Sequence, residues 1–219
     1  MVVKTRAGGR RPGRKAEQSE ATRRLLLAVG RQLFTERGYT GTATEEIVQR
    51  AGLTRGALYH QFRDKRDLFR AVYEAVEREL AGKIAAGIWS RVSPDSDAWE
   101  QVQAGSQAFL DACLDPAVQR VALLDAPAVL GAGASRDIAR YGLGLIQQGV
   151  QTAIEQGLIA QQPVEPMAHL LRGALTEAAQ VLARSPDQAS ARAEIGAAVD
   201  RLIGGLRRAA AVAQPGGWL

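Results

Sequence analysis

The stretch from Thr42 to Lys65, TATEEIVQRAGLTRGALYHQFRDK, restricts the fold more than any other part of the chain. Thr44 opens a short helical pattern with Glu45 and Glu46 in its first turn, where acidic side chains suit the positive end of the helix dipole. Ile47, Val48 and Ala51 supply apolar positions at helical spacing, and Gly52 stands where a left-handed residue commonly ends a helix. Leu53 fills the turn, and Thr54 is the N-cap of a second short helix running through Leu58 and Tyr59 toward Phe62. Two short helices joined by so tight a turn predict a helix-turn-helix, whose second helix enters the major groove of DNA.

The composition of the second helix suits that task. Arg55 is a donor at its exposed start, and the small Gly56 and Ala57 let backbone approach a base edge or a thymine methyl. Tyr59 and His60 can hydrogen-bond phosphates, while Leu58 and Phe62 face inward at i and i+4. An ordinary helical hairpin would also use a glycine turn and threonine caps. It would leave the exposed Arg, Thr, Tyr and His cluster unexplained. The expected DNA contacts are Thr42, Thr44, Thr54, Arg55, Gly56, Ala57, Tyr59, His60 and Lys65. Lys65 earns its place because it puts a cation in the first turn of the next helix, against the dipole preference there.

Charge is distributed to match. Residues 1–70 hold 16 Lys and Arg against 7 Asp and Glu, net +9, and the remainder holds 12 against 16, net −4. A basic front end on a mildly acidic body is the footprint of nucleic-acid binding by one part only. Residues 1–16 carry six basic side chains, no acidic one, and several Gly and Pro. Such a segment reads either as a solvated, disordered arm or as an arm that adds phosphate or minor-groove contacts.

The rest of the chain reads as helices. Ser19 or a neighbour starts the first, with Leu25, Leu26, Val29, Leu33 and Phe34 on one face and Gly38 closing it. Asp64 caps a helix in which Leu68, Val72, Val76, Leu80, Ile84 and Ile88 recur every four residues. Its roughly 25 residues span about 37 Å at the helical rise. Ser93-Pro94-Asp95-Ser96 interrupts the chain, and further helices follow around Trp99–Cys113, from Pro116 to a stop at Pro127, around Ile138–Ile154, after Pro163–Pro166, and after Ser185-Pro186-Asp187. Leu130–Ser135 reads as a loop and the last residues as a frayed tail. No strand pattern appears, so the fold class is all-α. The organisation expected is a basic arm 1–16, a DNA-binding head 17–64, a connecting helix 65–92, a second helical domain 93–212 and a tail 213–219.

AGLTRGALYHQFRDKRDLF, with the preceding FTERGYTGTATEEIVQR, resembles the signature of the tetracycline-repressor (TetR) family of bacterial transcriptional regulators, from about Ser19 to Leu80. Ala43 departs from the pattern, since many members carry Ser or Thr there as the helix cap; Thr42 or Thr44 would take over. RVALLDAPAVLG, RYGLGLI and HLLRGALTEAAQ resemble the C-terminal domains of one subgroup. The resemblance implies a three-helix DNA-binding head, a phosphate contact at Lys65, and an all-helical domain for ligand binding and dimerisation. It also implies a repressor more often than an activator.

Two recognition helices on a symmetric dimer would read two half-sites of a palindromic operator. The last two helices are the expected interface, through Gly173, Ala174, Ala178, Val181, Ala197 and Leu202. Polar or aromatic residues on faces expected to be buried mark a pocket for a small, mostly apolar effector: Trp99, Phe109, Cys113, Tyr141, Met167, His169 and Glu177. A single cysteine fits a reducing cytoplasm, and two distant histidines give no zinc spacing, so neither a metal nor another cofactor is expected. No apolar run is long enough to span a membrane. An enzyme built on Asp111, Asp115, Asp125 and His169 is the rival class, but no nucleophile–base spacing supports it. An architectural DNA coat would not need the large second domain.

Overall fold

The computed structural model describes residues 13–93, 95–131 and 140–207, which are almost wholly helical. The chain divides into two units, one ending at Val72 and the other beginning at Tyr73.

The first unit contains α1 (Arg14–Arg37), α2 (Thr44–Arg50), α3 (Arg55–Gln61) and the first turns of α4 (Lys65–Trp89). Helix α1 begins earlier than its apolar pattern suggests. Gly13 is its N-cap, and the Gly13 carbonyl accepts from the Ala16 amide at 2.7 Å. Arg14, Lys15 and Ala16, assigned to the basic arm, are therefore helical, because nothing after Gly13 breaks a run of good helix formers. The remainder of that arm, residues 1–12, lies outside the described residues. Ser19 is not the helix start but a tie to α3: Gln61 Nε2 donates to its hydroxyl at 2.8 Å. Arg23 adds to that tie, donating to the Gln61 carbonyl at 3.3 Å with its guanidinium 4.5 Å above the Phe62 ring.

Helix α1 ends at Gly38, whose φ of 72° a side chain would resist, and the α2–α3 turn uses Gly52 at φ 63°. The Thr54 hydroxyl caps α3 by accepting from the Ala57 amide at 3.2 Å. Asp64 caps α4 by accepting from the Asp67 amide at 2.7 Å. Leu26, Leu33, Phe34, Ile47, Leu58 and Phe69 are fully buried between these helices. The Phe69 ring lies 5.1 Å from both Phe34 and Tyr39, edge-on to each.

The second unit holds the rest of α4, then α5 (Ala98–Ala112), a π-helical segment (Val118–Asp125) running directly into α6 (Ala126–Leu130), α7 (Arg140–Glu155), α8 (Val164–Arg184) and α9 (Gln188–Gly204). Asp97 and Glu100 form a reciprocal capping box at the start of α5. Trp99, Leu110, Val150, Ile159, Leu171 and Ile203 are the centre of the core. Extended pairing is confined, among the described residues, to one antiparallel bridge between Ile159 and Arg207.

Pro127 does not stop its helix. It sits in the first turn of α6, and the chain stays helical through Leu130. Pro lacks an amide hydrogen and crowds the carbonyl four residues back. The π-helical turns just before it widen the spacing, which gives the ring room. The expected loop at Leu130–Ser135 and the tail 213–219 fall, from residue 132 and entirely, outside the described residues, as does Pro94.

Candidate nucleic-acid interface and effector cavity

Helix α3 separates its residues by face. Leu58 is fully buried and Phe62 nearly so, while Thr54, Arg55, Gly56, Tyr59 and His60 are exposed and Ala57 is half-buried. A Cβ added to Gly56 would approach only the Thr54 hydroxyl, at 3.8 Å, so no packing inside the head demands glycine there. The Arg55 guanidinium lies 5.7 Å from the Tyr59 ring centre and 3.1 Å from the Glu45 carboxylate of α2. That pair is solvated on both sides and holds Arg55 only loosely. Arg55 and Tyr59 therefore form one polar surface whose groups remain available to another molecule.

Two residues expected to contact DNA are committed elsewhere. Thr42 is buried, and its hydroxyl donates to the Gly38 carbonyl at 2.7 Å and toward that of Leu33 at 3.2 Å. It closes the C-terminal end of α1 instead of facing outward. Lys65 Nζ donates at 2.9 Å to the carbonyls of both Tyr39 and Thr42, and lies 4.2 Å above the Tyr39 ring. The cation that opposes the dipole of α4 thus neutralises carbonyls of the α1–α2 turn. Its placement in the sequence signalled an unusual role, but not which partner fulfils it. Neither Thr42 nor Thr44 caps α2: Ala43 is the N-cap without a side-chain bond, and the half-buried Thr44 donates to Glu45 at 3.1 Å.

Within the second unit, α4, α5, the π-helical segment, α6, α7 and α8 line a cavity of about 1190 Å³. Leu80, Ile84, Ile88, Val102, Leu123 and Leu175 make much of its wall aliphatic. Of the expected pocket residues, Phe109 lines it. Trp99 instead fills the core, donating Nε1–H to the Ile203 carbonyl at 3.0 Å. Cys113 is fully buried, and burial, followed by the Glu77 charge, pushes its thiol pKa up, leaving it inert. Met167 packs on the core cluster, and His169 and Glu177 are exposed. The side chain of Tyr141 lies outside the described residues.

The error on α8 is one of face. Arg172, Leu175, Thr176 and Gln180 line the cavity, so the stripe His169, Gly173, Glu177 and Val181 turns outward. Polar residues there are solvated, not buried. The cavity's polar wall was missed: Tyr73 and Glu77, one turn apart on α4, and Arg172 on α8. Burial raises the Glu77 carboxyl pKa, against the opposing effect of the Tyr73 hydroxyl bonded to it. Burial and then the Glu77 charge likewise raise that of Tyr73.

The outer faces of α8 and α9 expose Leu170 at 69%, Val181 at 48% and Leu202 at 54%. Gly173 and Ala197 are exposed with them, and a Cβ at Gly173 would meet nothing. Ala174 is half-buried, and Ala178 packs partly on the unit's own core.

Asp111, Asp115 and Asp125 are paired with cations: Asp111 with Arg91 and Arg192, Asp115 with Lys83 at 2.5 Å, and Asp125 with Arg120 at 3.4 Å. Among the described residues no group of His, Cys, Asp and Glu could hold a metal ion, and no helix is long and apolar enough to cross a membrane.

Residues 26–72 match the family described as bacterial regulatory proteins, tetR family, and residues 99–206 match the tetracyclin repressor-like C-terminal domain. The chain is similar to the solved structure of a TetR-family transcriptional regulator from Pectobacterium atrosepticum, with 38% identity, a TM-score of 0.75, and 88% of this chain and 97% of that one covered. A putative tetR family transcription regulator from Shewanella sp. PV-4 shares 26% identity at a TM-score of 0.67, over 86% of this chain and 99% of that one. The HTH-type transcriptional regulator AcrR of Shigella flexneri is 41% identical over 64 residues, which are 29% of this chain and 30% of that protein. The HTH-type transcriptional activator FasR of Mycolicibacterium smegmatis is 31% identical over 105 residues, 48% and 46% of the two chains. The chain thus spans less than half the length of either curated relative.

Proposed function

The chain belongs to the tetracycline-repressor family of transcriptional regulators, and from that premise we propose a ligand-released repressor that occupies a palindromic operator as a homodimer. The observation that carries this reading is the pairing, in one chain, of an outward polar face on α3 with a roomy cavity in the second unit. Arg55, Gly56, Tyr59 and His60 would read the major groove, with Thr54 donating its hydroxyl hydrogen to a phosphate while its oxygen caps α3. One seven-residue helix offers few base contacts, so two copies are needed for operator affinity. The exposed Leu170, Val181 and Leu202 with Gly173 and Ala197 supply an apolar, small-residue surface on which a second copy can seat.

Release follows from geometry. Recognition helices must enter successive major grooves about 34–36 Å apart. Helix α4 is continuous from Lys65 in the head to Trp89, and its residues from Tyr73 to Ile88 include several that line the cavity. An effector that favours a different tilt of α4 would misplace the heads, and operator DNA would weaken effector binding by the same factor. The setting would be the cytoplasm, where the genome is.

Footprinting on DNA flanking its own gene tests the proposal. Two protected half-sites one helical turn apart support it. Diffuse protection would support a nonspecific DNA coat, and transcription rising with operator occupancy would make the protein an activator.

A further inference from the structure

We propose that Arg172 is an anchor for an anionic head group, and that the effector is an aliphatic carboxylate whose tail lies along the cavity's aliphatic wall. This rests on reading the cavity as the effector site.

The starting point is the state of the guanidinium. Arg172 lies half-buried on the cavity wall, and its Nε is shielded from solvent with no hydrogen-bond partner. Other arginines of the same unit are handled differently: Arg91, Arg192 and Arg207 each sit against an aspartate. A partly desolvated guanidinium without such a partner is costly, and a carboxylate is the group whose geometry matches its fork of donors. Thr176, one turn on, has already spent its hydroxyl hydrogen on the Arg172 carbonyl at 2.8 Å, so it leaves the guanidinium to meet the ligand.

The other charges on the wall do not supply the missing anion. Glu74 and Arg78 are exposed and of opposite sign. Glu77 is bonded by the Tyr73 hydroxyl and, among the described residues, forms no ion pair with Arg172, whose Nε stays unpartnered. Along the wall, Leu80, Ile84, Ile88, Val102 and Leu175 outnumber the aromatic Tyr73 and Phe109. That wall suits a flexible alkyl chain better than a stack of flat rings.

The test is calorimetric titration of the full chain with decanoate, decanol and decyltrimethylammonium, the two ions below their micellar concentrations and decanol below its solubility limit. The three share a tail and differ in head-group charge. Decanoate should bind at least about tenfold tighter than decanol, the scale of one charge-assisted hydrogen bond. Arg172→Gln should abolish that preference, and Arg172→Lys should keep part of it by retaining the charge without the fork. Decanol makes no ionic contact, so its unchanged binding reports an intact cavity in each variant. Equal binding of decanoate and decanol, or tighter binding of the cation, would overturn the anchor while leaving the cavity as an effector site. If none of the three bound, the cavity reading itself would fail and the anchor with it.

Discussion

The two units differ in how much of their interior they leave unfilled. In the head, Thr42 and Lys65 turn inward and satisfy carbonyls of Leu33, Gly38, Tyr39 and Thr42, so the ends of α1 and the turn to α2 are closed. The second unit keeps a cavity of about 1190 Å³, with the Nε of Arg172 unpartnered and Glu77 held where its charge is disfavoured. A reading head gains from rigidity, because recognition depends on where α3 presents its side chains. A unit that answers a small molecule must retain volume and unsatisfied groups for it, at a cost in its own stability.

The largest expected effect tests that contrast directly. Phe69→Ala should cost about 3–5 kcal/mol, the range for a large ring removed from a close-packed core. The Phe69 ring is fully buried between Phe34 and Tyr39. Phe109→Ala, on a ring that already borders the cavity and is half-buried, should cost roughly half as much or less, since fewer contacts are lost. Chemical denaturation of both variants decides it. Equal losses would mean that the cavity wall is packed as tightly as the head.

Lys65 comes next. Lys65→Met keeps an apolar stem but strips two carbonyls of their charged donor, so the head should lose about 1.5–3 kcal/mol. The slope of operator affinity against salt should not change. A slope reduced by about one unit would instead make Lys65 a phosphate contact.

The same residue shows what sequence can and cannot tell. The helix-turn-helix was legible because its signals are local: Gly52 for a left-handed turn, Thr54 for a cap, Leu58 and Phe62 one turn apart. So was the all-α class, carried by four-residue periodicity along α4. The targets of Lys65 and Thr42 lie 26 and 4 residues away, on carbonyls that exist as neighbours only after folding. On α8, the sequence showed an amphipathic stripe but not its direction, and His169 and Glu177 were assigned to the wrong side. Pro127 misled for a related reason, since its usual breaking effect was absorbed by a π-helical segment that composition does not announce.

A smaller effect separates recognition from stability on α3. Arg55 is exposed, and its pair with Glu45 is solvated, so Arg55→Ala should leave folding stability unchanged. Operator binding should weaken about tenfold or more, with preference relaxed at one base position. A loss of stability matching the loss of affinity would place Arg55 with Lys65, among the residues that hold the head together.

The smallest effect is one of sign, and it sets a carboxylate of each unit against the other. In the head, the Arg63 side chain, then the Arg63 amide, hold the Asp67 carboxyl below its usual range, with Arg23 adding to the effect. Its ionised form is favoured by folding, so its contribution is present above the ordinary carboxylate range and is lost as pH falls through its folded pKa. Glu77 in the second unit is raised by burial, and the titratable groups facing it are the Tyr73 hydroxyl bonded to it, the buried Cys113 thiol and, near Tyr73, the Arg172 guanidinium. Folding favours its neutral form, so that contribution is complete below the ordinary carboxylate range and is lost as pH rises through the folded pKa. Glu77→Gln keeps an acceptor for Tyr73 and removes the charge. Relative to wild type, it should gain thermal stability from pH 4 to pH 7. Asp67→Asn, which loses its charged bond to Arg63, should instead fall further behind wild type over the same interval, the difference closing at acid pH. Melting both variants across that range checks the pair, and a common sign for the two would mean that the polar wall of the cavity is as well satisfied as the head.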